Sequence, residues 1–125
     1  MKKRMLKNTD KSISLLGLGC MRFRTLPNGE IDEIKAQEIV DYAYKNGVNY
    51  FDTAYMYHGG KSEVFIGKAL KKYDRNSYYL TDKLPIWEAN TPDDMEKIFN
   101  TQLERCGVDR FDFYLCHSLQ KSHFD

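Results

Sequence analysis

Cysteine is scarce and poorly placed for bonding in this chain: Cys20, Cys106 and Cys116 are odd in number and have no Cys-x-x-Cys spacing. That pattern excludes a disulfide framework and fits a reducing, cytoplasmic setting. Adding His117 and His123 does not produce ligand spacing on one face, so no metal site is expected. Neither sign of charge prevails, with 19 Lys and Arg against 18 Asp and Glu, and a net charge of +1 gives no reason to expect a nucleic-acid or anionic-membrane partner. No apolar run approaches the ~20 residues that span a bilayer. Met1-Lys-Lys-Arg followed by Leu15-Leu-Gly-Leu invites comparison with a leader peptide, but Lys7, Asn8, Asp10 and Lys11 interrupt it. Only three prolines are present, and no low-complexity stretch or interdomain linker divides the sequence.

Aromatic bulk is plentiful: nine Tyr and seven Phe in 125 residues can fill the core of one domain, or of part of a larger one. Strand-like and helical patterns alternate. Arg4-Met-Leu and Ser12-Ile-Ser-Leu flank the polar turn Lys7-Asn-Thr-Asp-Lys11 and predict a short hairpin. Leu15 to Leu18 follows as a buried strand. Asp32 is placed to cap a first helix with Ile39, Val40, Ala43 and Tyr44 inward, stopped by Asn46-Gly47. Val48 to Asp52 is a second strand. Ser62 is placed to cap a second helix with Ile66, Ala69, Leu70 and Tyr73 inward, and Tyr78 to Leu80 is a third strand. Thr91-Pro92 opens a third helix striped by Met95, Ile98, Phe99 and Leu103, and Phe111 to Cys116 is a fourth strand. Strands therefore recur about every 30 residues with one helix between them, the rhythm of βα units. Periodicity alone admits both an open doubly wound sheet and a (β/α)8 barrel. The dinucleotide fingerprint is incomplete, because Gly17-Leu-Gly19-Cys-Met-Arg22 has arginine in the third glycine place.

Asp52, Tyr57, Lys83 and His117 stand at or just beyond the ends of successive strands, where catalytic groups collect in such architectures. A phenol is a poor acid at neutral pH unless a cation lies nearby. Lys83 supplies a cation, Asp52 can hold it in place, and His117 can donate a hydrogen bond to a carbonyl oxygen. Together they could protonate an oxyanion formed as hydride reaches carbon, and since none of them delivers hydride a nicotinamide cofactor is implied. Singly, each has a plainer explanation: an ion pair, a packed tyrosine, a buried histidine. Four at consecutive strand ends are harder to explain that way. Trp87 lies near the same end, where lining a substrate pocket competes with core packing. Gly59-Gly60 before a helix reads as a turn rather than a phosphate cradle.

Leu16-Gly-Leu-Gly-Cys-Met-Arg22, Tyr50-Phe-Asp-Thr-Ala-Tyr-Met-Tyr57, Leu80-Thr-Asp-Lys-Leu-Pro85 and Asp112-Phe-Tyr-Leu-Cys-His117 together resemble the aldo-keto reductase family, in the family's order and over nearly the whole chain. The resemblance implies an α/β fold, a partial (β/α)8 TIM barrel of about four parallel strands with an N-terminal hairpin. It implies NADPH-dependent reduction of an aldehyde or ketone, with Tyr57 as proton donor, Lys83 easing loss of its proton, Asp52 orienting Lys83, and His117 orienting the carbonyl. Gly19, Cys20, Met21 and Asp52 match the family's contacts to the nicotinamide ribose, and Trp87 and His117 fall on the substrate side. Tyr55 has the wrong spacing for the catalytic phenol. His58 stands where family members usually carry glycine, a variant similar to a microbial branch often fused to a ferredoxin-like iron–sulfur domain.

The family barrel takes about 250 residues, and its residues for the cofactor's pyrophosphate and 2′-phosphate lie beyond the fourth strand. Residues 1–125 therefore read as the N-terminal half of such a barrel, with no iron–sulfur domain. The isolated chain is expected to bind NADPH weakly, to show little activity, and to associate with itself or with a complementary half. The alternative function is a non-catalytic half-barrel or interaction module.

Overall fold

The computed structural model describes residues 1–124. Strands β1 (Lys3–Met5) and β2 (Ser12–Ser14) pair antiparallel as the expected hairpin. A separate sheet follows in the order β3 (Leu18–Gly19), β4 (Tyr50–Asp52), β5 (Tyr79–Leu84) and β6 (Phe113–Cys116), all parallel. Strictly sequential parallel order is that of consecutive βα units in a barrel wall; a doubly wound sheet would reverse direction at a switch point. The fold is thus α/β, covering part of a TIM barrel.

The helices connecting these strands are α1 (Glu33–Lys45), α2 (Lys61–Leu70) and α3 (Pro92–Cys106). Asp32 caps α1, accepting from Lys35 N–H. Thr91 and Asp94 form a reciprocal capping box on α3, with Pro92 at the first turn. Ser62 does not cap α2 as expected. The cap is left-handed Gly60, two residues earlier, so Ser62 lies inside the first turn and points inward to bond Thr53 Oγ1 at 2.9 Å and the Cys20 carbonyl at 3.3 Å. Helix α2 packs closely on α3 at Gly67, where a β-carbon would lie 2.0 Å from the Cys106 carbonyl oxygen.

The core between sheet and helices is built from Ala36, Val40, Phe51, Phe65, Ile66, Ala69, Leu70, Leu80 and Cys106. Two residues assigned inward by periodicity face outward instead: Ile39 and Met95 are exposed. In α1, Ala36 and Val40 do the burying, and in α3 the fully buried side chains are Gln102 and Cys106, with Ile98, Phe99 and Leu103 half-buried. Asn49, just ahead of β4, ties the hairpin to the sheet. Its side chain accepts from Ser14 N–H at 2.8 Å and donates to the Ser12 carbonyl at 2.9 Å. The hairpin therefore sits at the end where β4 enters, leaving the opposite end clear.

Candidate active site

At the carboxyl ends of the strands the four singled-out residues converge. Lys83, near the end of β5, donates from Nζ to Asp52 Oδ1 at 2.6 Å, to the Thr53 carbonyl at 2.7 Å and to Tyr57 Oη at 3.2 Å. Three donors thus meet three acceptors, which fixes the ammonium within a cage of oxygens. Its nitrogen also lies 4.8 Å from the centre of the Tyr57 ring. Burial pushes Lys83 down, but the hydrogen bond and charge of Asp52, reinforced by Tyr57, outweigh it and hold Lys83 above the ordinary lysine range.

His117, one residue past β6, sets its ring edge-on to Tyr57 at 5.9 Å and 5.2 Å from Trp87. Desolvation and then the Lys83 charge lower its pKa, only partly opposed by Asp52, so the neutral imidazole prevails at neutral pH. Its Nδ1 is buried and has no hydrogen-bond partner. Trp87 is 46% exposed and flanks His117 from the β5–α3 loop.

The segment after β3 completes the site's rim. Cys20 N–H donates to the Asp52 carbonyl at 2.8 Å, which holds Gly19 to Met21 beside the lysine cage. Gly19 is exposed, and a β-carbon added there would meet nothing within 4 Å; Met21 is exposed too. The Cys20 thiol points inward: it is wholly buried, and burial pushes its pKa far up. Its main chain is enclosed as well, the N–H given to the Asp52 carbonyl and the carbonyl accepting from Ser62 Oγ, so the groups open to a ligand at this rim are those of Gly19 and Met21. Tyr55 is not part of the cluster; its ring lies under the Arg105 guanidinium at 4.6 Å.

His58, the residue that departs from the family pattern, adopts φ 52° and begins a left-handed run through Gly59 (63°) and Gly60 (87°). It is held there by accepting from Phe23 N–H at Nε2, 3.1 Å, while stacked on the Phe23 ring. The Gly59–Gly60 pair is therefore a turn, as its sequence suggests. A cavity of about 570 Å³ lies beside this turn, between Leu26, Ile31, Val64 and Phe65, but none of the four converging residues lines it.

Four polar residues beneath the site were not foreseen. Glu63, Asp82 and Gln102 are wholly buried, and Arg105 reaches in to bond Glu63 at 3.0 Å. For Gln102 and Glu63 the sequence signal was a polar residue on an apolar helical face: Gln102 lies four residues from both Ile98 and Cys106, and Glu63 three from Ile66. Among the described residues no three His, Cys, Asp or Glu side chains cluster as a metal site, and no helix is long and apolar enough to cross a membrane.

Residues 15–124 match the model of the Aldo/keto reductase family. The NADH-specific methylglyoxal reductase of Escherichia coli is 32% identical over 94% of this chain and 42% of its own length. A thermostable aldo-keto reductase, Tm1743, solved with the inhibitor epalrestat, superposes with a TM-score of 0.82 at 28% identity, over 98% of this chain and 44% of that one. An aldo-keto reductase from Klebsiella pneumoniae in complex with NADPH gives 0.70 at 28% identity, over 85% and 36%. The chain belongs to the aldo/keto reductase family, and it spans less than half the length of these relatives.

Proposed function

We propose that this chain carries the proton-transfer half of an NADPH-dependent carbonyl reductase, the N-terminal part of the family barrel. The observation that carries this reading is the Lys83 cage, in which one ammonium bonds both Asp52 and Tyr57. Tyr57 gives a proton to the oxygen of an aldehyde or ketone. Lys83 stabilises the phenolate left behind, and Asp52 keeps Lys83 charged and aimed. His117, neutral, donates a hydrogen bond that orients the carbonyl, and Trp87 shields that face from water.

A nicotinamide cofactor, when bound, supplies the hydride that the protein lacks. The exposed backbone at Gly19, the exposed side chain of Met21 and the partly exposed carboxylate of Asp52 suit its ribose, since the rim is open beside the cage. NADPH is the family's cofactor, seen with the Klebsiella relative. The Escherichia coli relative, named as NADH-specific, makes NADH the comparison in any assay.

The test is the oxidation of NADPH and NADH, followed by absorbance, against a panel of aldehydes and ketones including dicarbonyls. It should be run on the 125-residue chain alone and on the chain joined to the later βα units of a relative. The joined protein should reduce carbonyls, and Tyr57→Phe should cost on the order of 10²–10⁴ in rate. Full turnover by Tyr57→Phe would overturn the assignment.

A second reading, a half-barrel acting as an interaction module, is supported by the sheet itself. Strands β3 and β6 each have one neighbour, leaving two unpaired parallel edges among the described residues. On this reading the chain associates with itself or with a complementary half-barrel in a cytoplasmic setting, binding cofactor weakly. Light scattering separates the two: a monomer that binds NADPH at micromolar concentration would discard it.

A further inference from the structure

The ladder between β4 and β5 stops at the candidate site, and the stop is filled by side chains. Tyr79 N–H donates to the Asn49 carbonyl and Thr53 N–H to the Thr81 carbonyl, so odd-numbered residues of β5 direct their peptide groups toward β4. The next step in that register would join Lys83 N–H to the Thr53 carbonyl. It is not made. The Thr53 carbonyl accepts from Lys83 Nζ instead, at 2.7 Å, and Lys83 N–H turns to Asp82 Oδ1 at 2.8 Å. The Lys83 carbonyl, also facing the vacated side, accepts from Gln102 Nε2 at 3.0 Å.

Gln102 can make that bond in only one orientation. Its Nε2 also donates to Glu63 Oε1 at 2.8 Å, and its Oε1 accepts from the Tyr114 hydroxyl at 2.5 Å. Both acceptors on the Nε2 side, a carboxylate and a peptide carbonyl, can accept only, so a flipped amide would set oxygen against oxygen twice. Glu63 is itself anchored through Oε2 by Arg105. Every partner of the Gln102 amide is supplied by an element packed around it: α2, β5 and β6.

We propose that Gln102, locked by Glu63 and Tyr114, is a positioning residue that holds the Lys83 backbone off the β4 ladder. The Lys83 ammonium, rather than its peptide N–H, then takes the Thr53 carbonyl and reaches Asp52 and Tyr57. The catalytic reading above explains why the reach of Lys83 matters, and the proposal rests on it to that extent. The arrangement itself is read at Lys83.

The experiment is 15N NMR of the lysine ammonium groups in the 125-residue chain, with Lys83 assigned by the signal lost in Lys83→Met. In the wild type, the Lys83 ammonium should exchange slowly with water and titrate above ordinary lysines. Gln102→Met keeps the side chain's length but removes its donors. It should speed that exchange roughly tenfold, the equivalent of one hydrogen bond's net contribution, and lower the titration midpoint. If Gln102→Met does not fold, Tyr114→Phe decides, because it removes only the donor to Gln102 Oε1 and should produce a smaller change in the same direction. A variant that melts earlier yet leaves the Lys83 exchange and titration as in the wild type shows a merely structural glutamine and overturns the proposal. An inactive joined barrel with a responsive Lys83 would refute the catalytic reading alone.

Discussion

Lys83 Nζ and Asp52 Oδ1 lie 2.6 Å apart, bridging adjacent parallel strands at the end away from the hairpin. The lysine side chain is 12% exposed and the aspartate 28%, so the pair is shielded from water without being sealed from it. A pair in this setting can keep its charges and still meet a substrate.

Asp52→Asn keeps the shape of that contact and removes its charge. Burial would then act on Lys83 with less opposition, and its titration midpoint should fall from above the ordinary lysine range toward or below it. A pH titration of the 15N ammonium signal checks this. A midpoint as high as in the wild type would mean that Tyr57 and the Thr53 carbonyl suffice.

His117 should titrate below an ordinary histidine, because burial and the Lys83 charge both disfavour the imidazolium. Lys83→Met should raise the midpoint, and Asp52→Asn should lower it further. Proton NMR of the imidazole ring from about pH 4 to pH 8, a span that brackets the ordinary histidine value, measures both shifts, and opposite signs for the two variants are the expected result.

Asp82 gives a stability prediction. Burial first, and then the neighbouring Glu63 charge, push its carboxyl up to about 8. The folded chain therefore holds a proton there that the unfolded chain releases near about pH 4. Stability linked to this group is fully present below about pH 4 and is lost as pH rises through about 8. Asp82→Asn mimics the protonated acid and still offers an oxygen to Lys83 N–H. It should flatten that decline, so thermal melts between about pH 5 and pH 9 should show its advantage growing with pH.

Gly67→Ala should destabilise the fold, because a β-carbon there meets the Cys106 backbone at 2.0 Å. The obstacle is main chain rather than a flexible side-chain end, so α2 and α3 must separate. A cost on the order of 1–3 kcal/mol is expected from overpacking. Urea denaturation of the two proteins measures it, and an unchanged midpoint would show that the helices part freely.

Much of this molecule is legible in its sequence, for local reasons. The βα rhythm, the Asp32 cap and the Thr91-Pro92 start depend on neighbours within a few residues. The spacing of Asp52, Tyr57, Lys83 and His117 is likewise visible, because parallel strands in sequential order bring their ends together whatever the packing details. Only the tertiary structure decided which faces are covered. Ile39 and Met95 follow helical period yet stay exposed, since periodicity defines a stripe wider than the surface that α1 and α3 bury. Ser62 looks like a cap but is drawn inward by Thr53 and the Cys20 carbonyl. The buried pair of Glu63 and Gln102 was hidden for the same reason. Such side chains are buried because partners from other elements satisfy them, and those partners are 12, 19 and 39 residues away for Gln102.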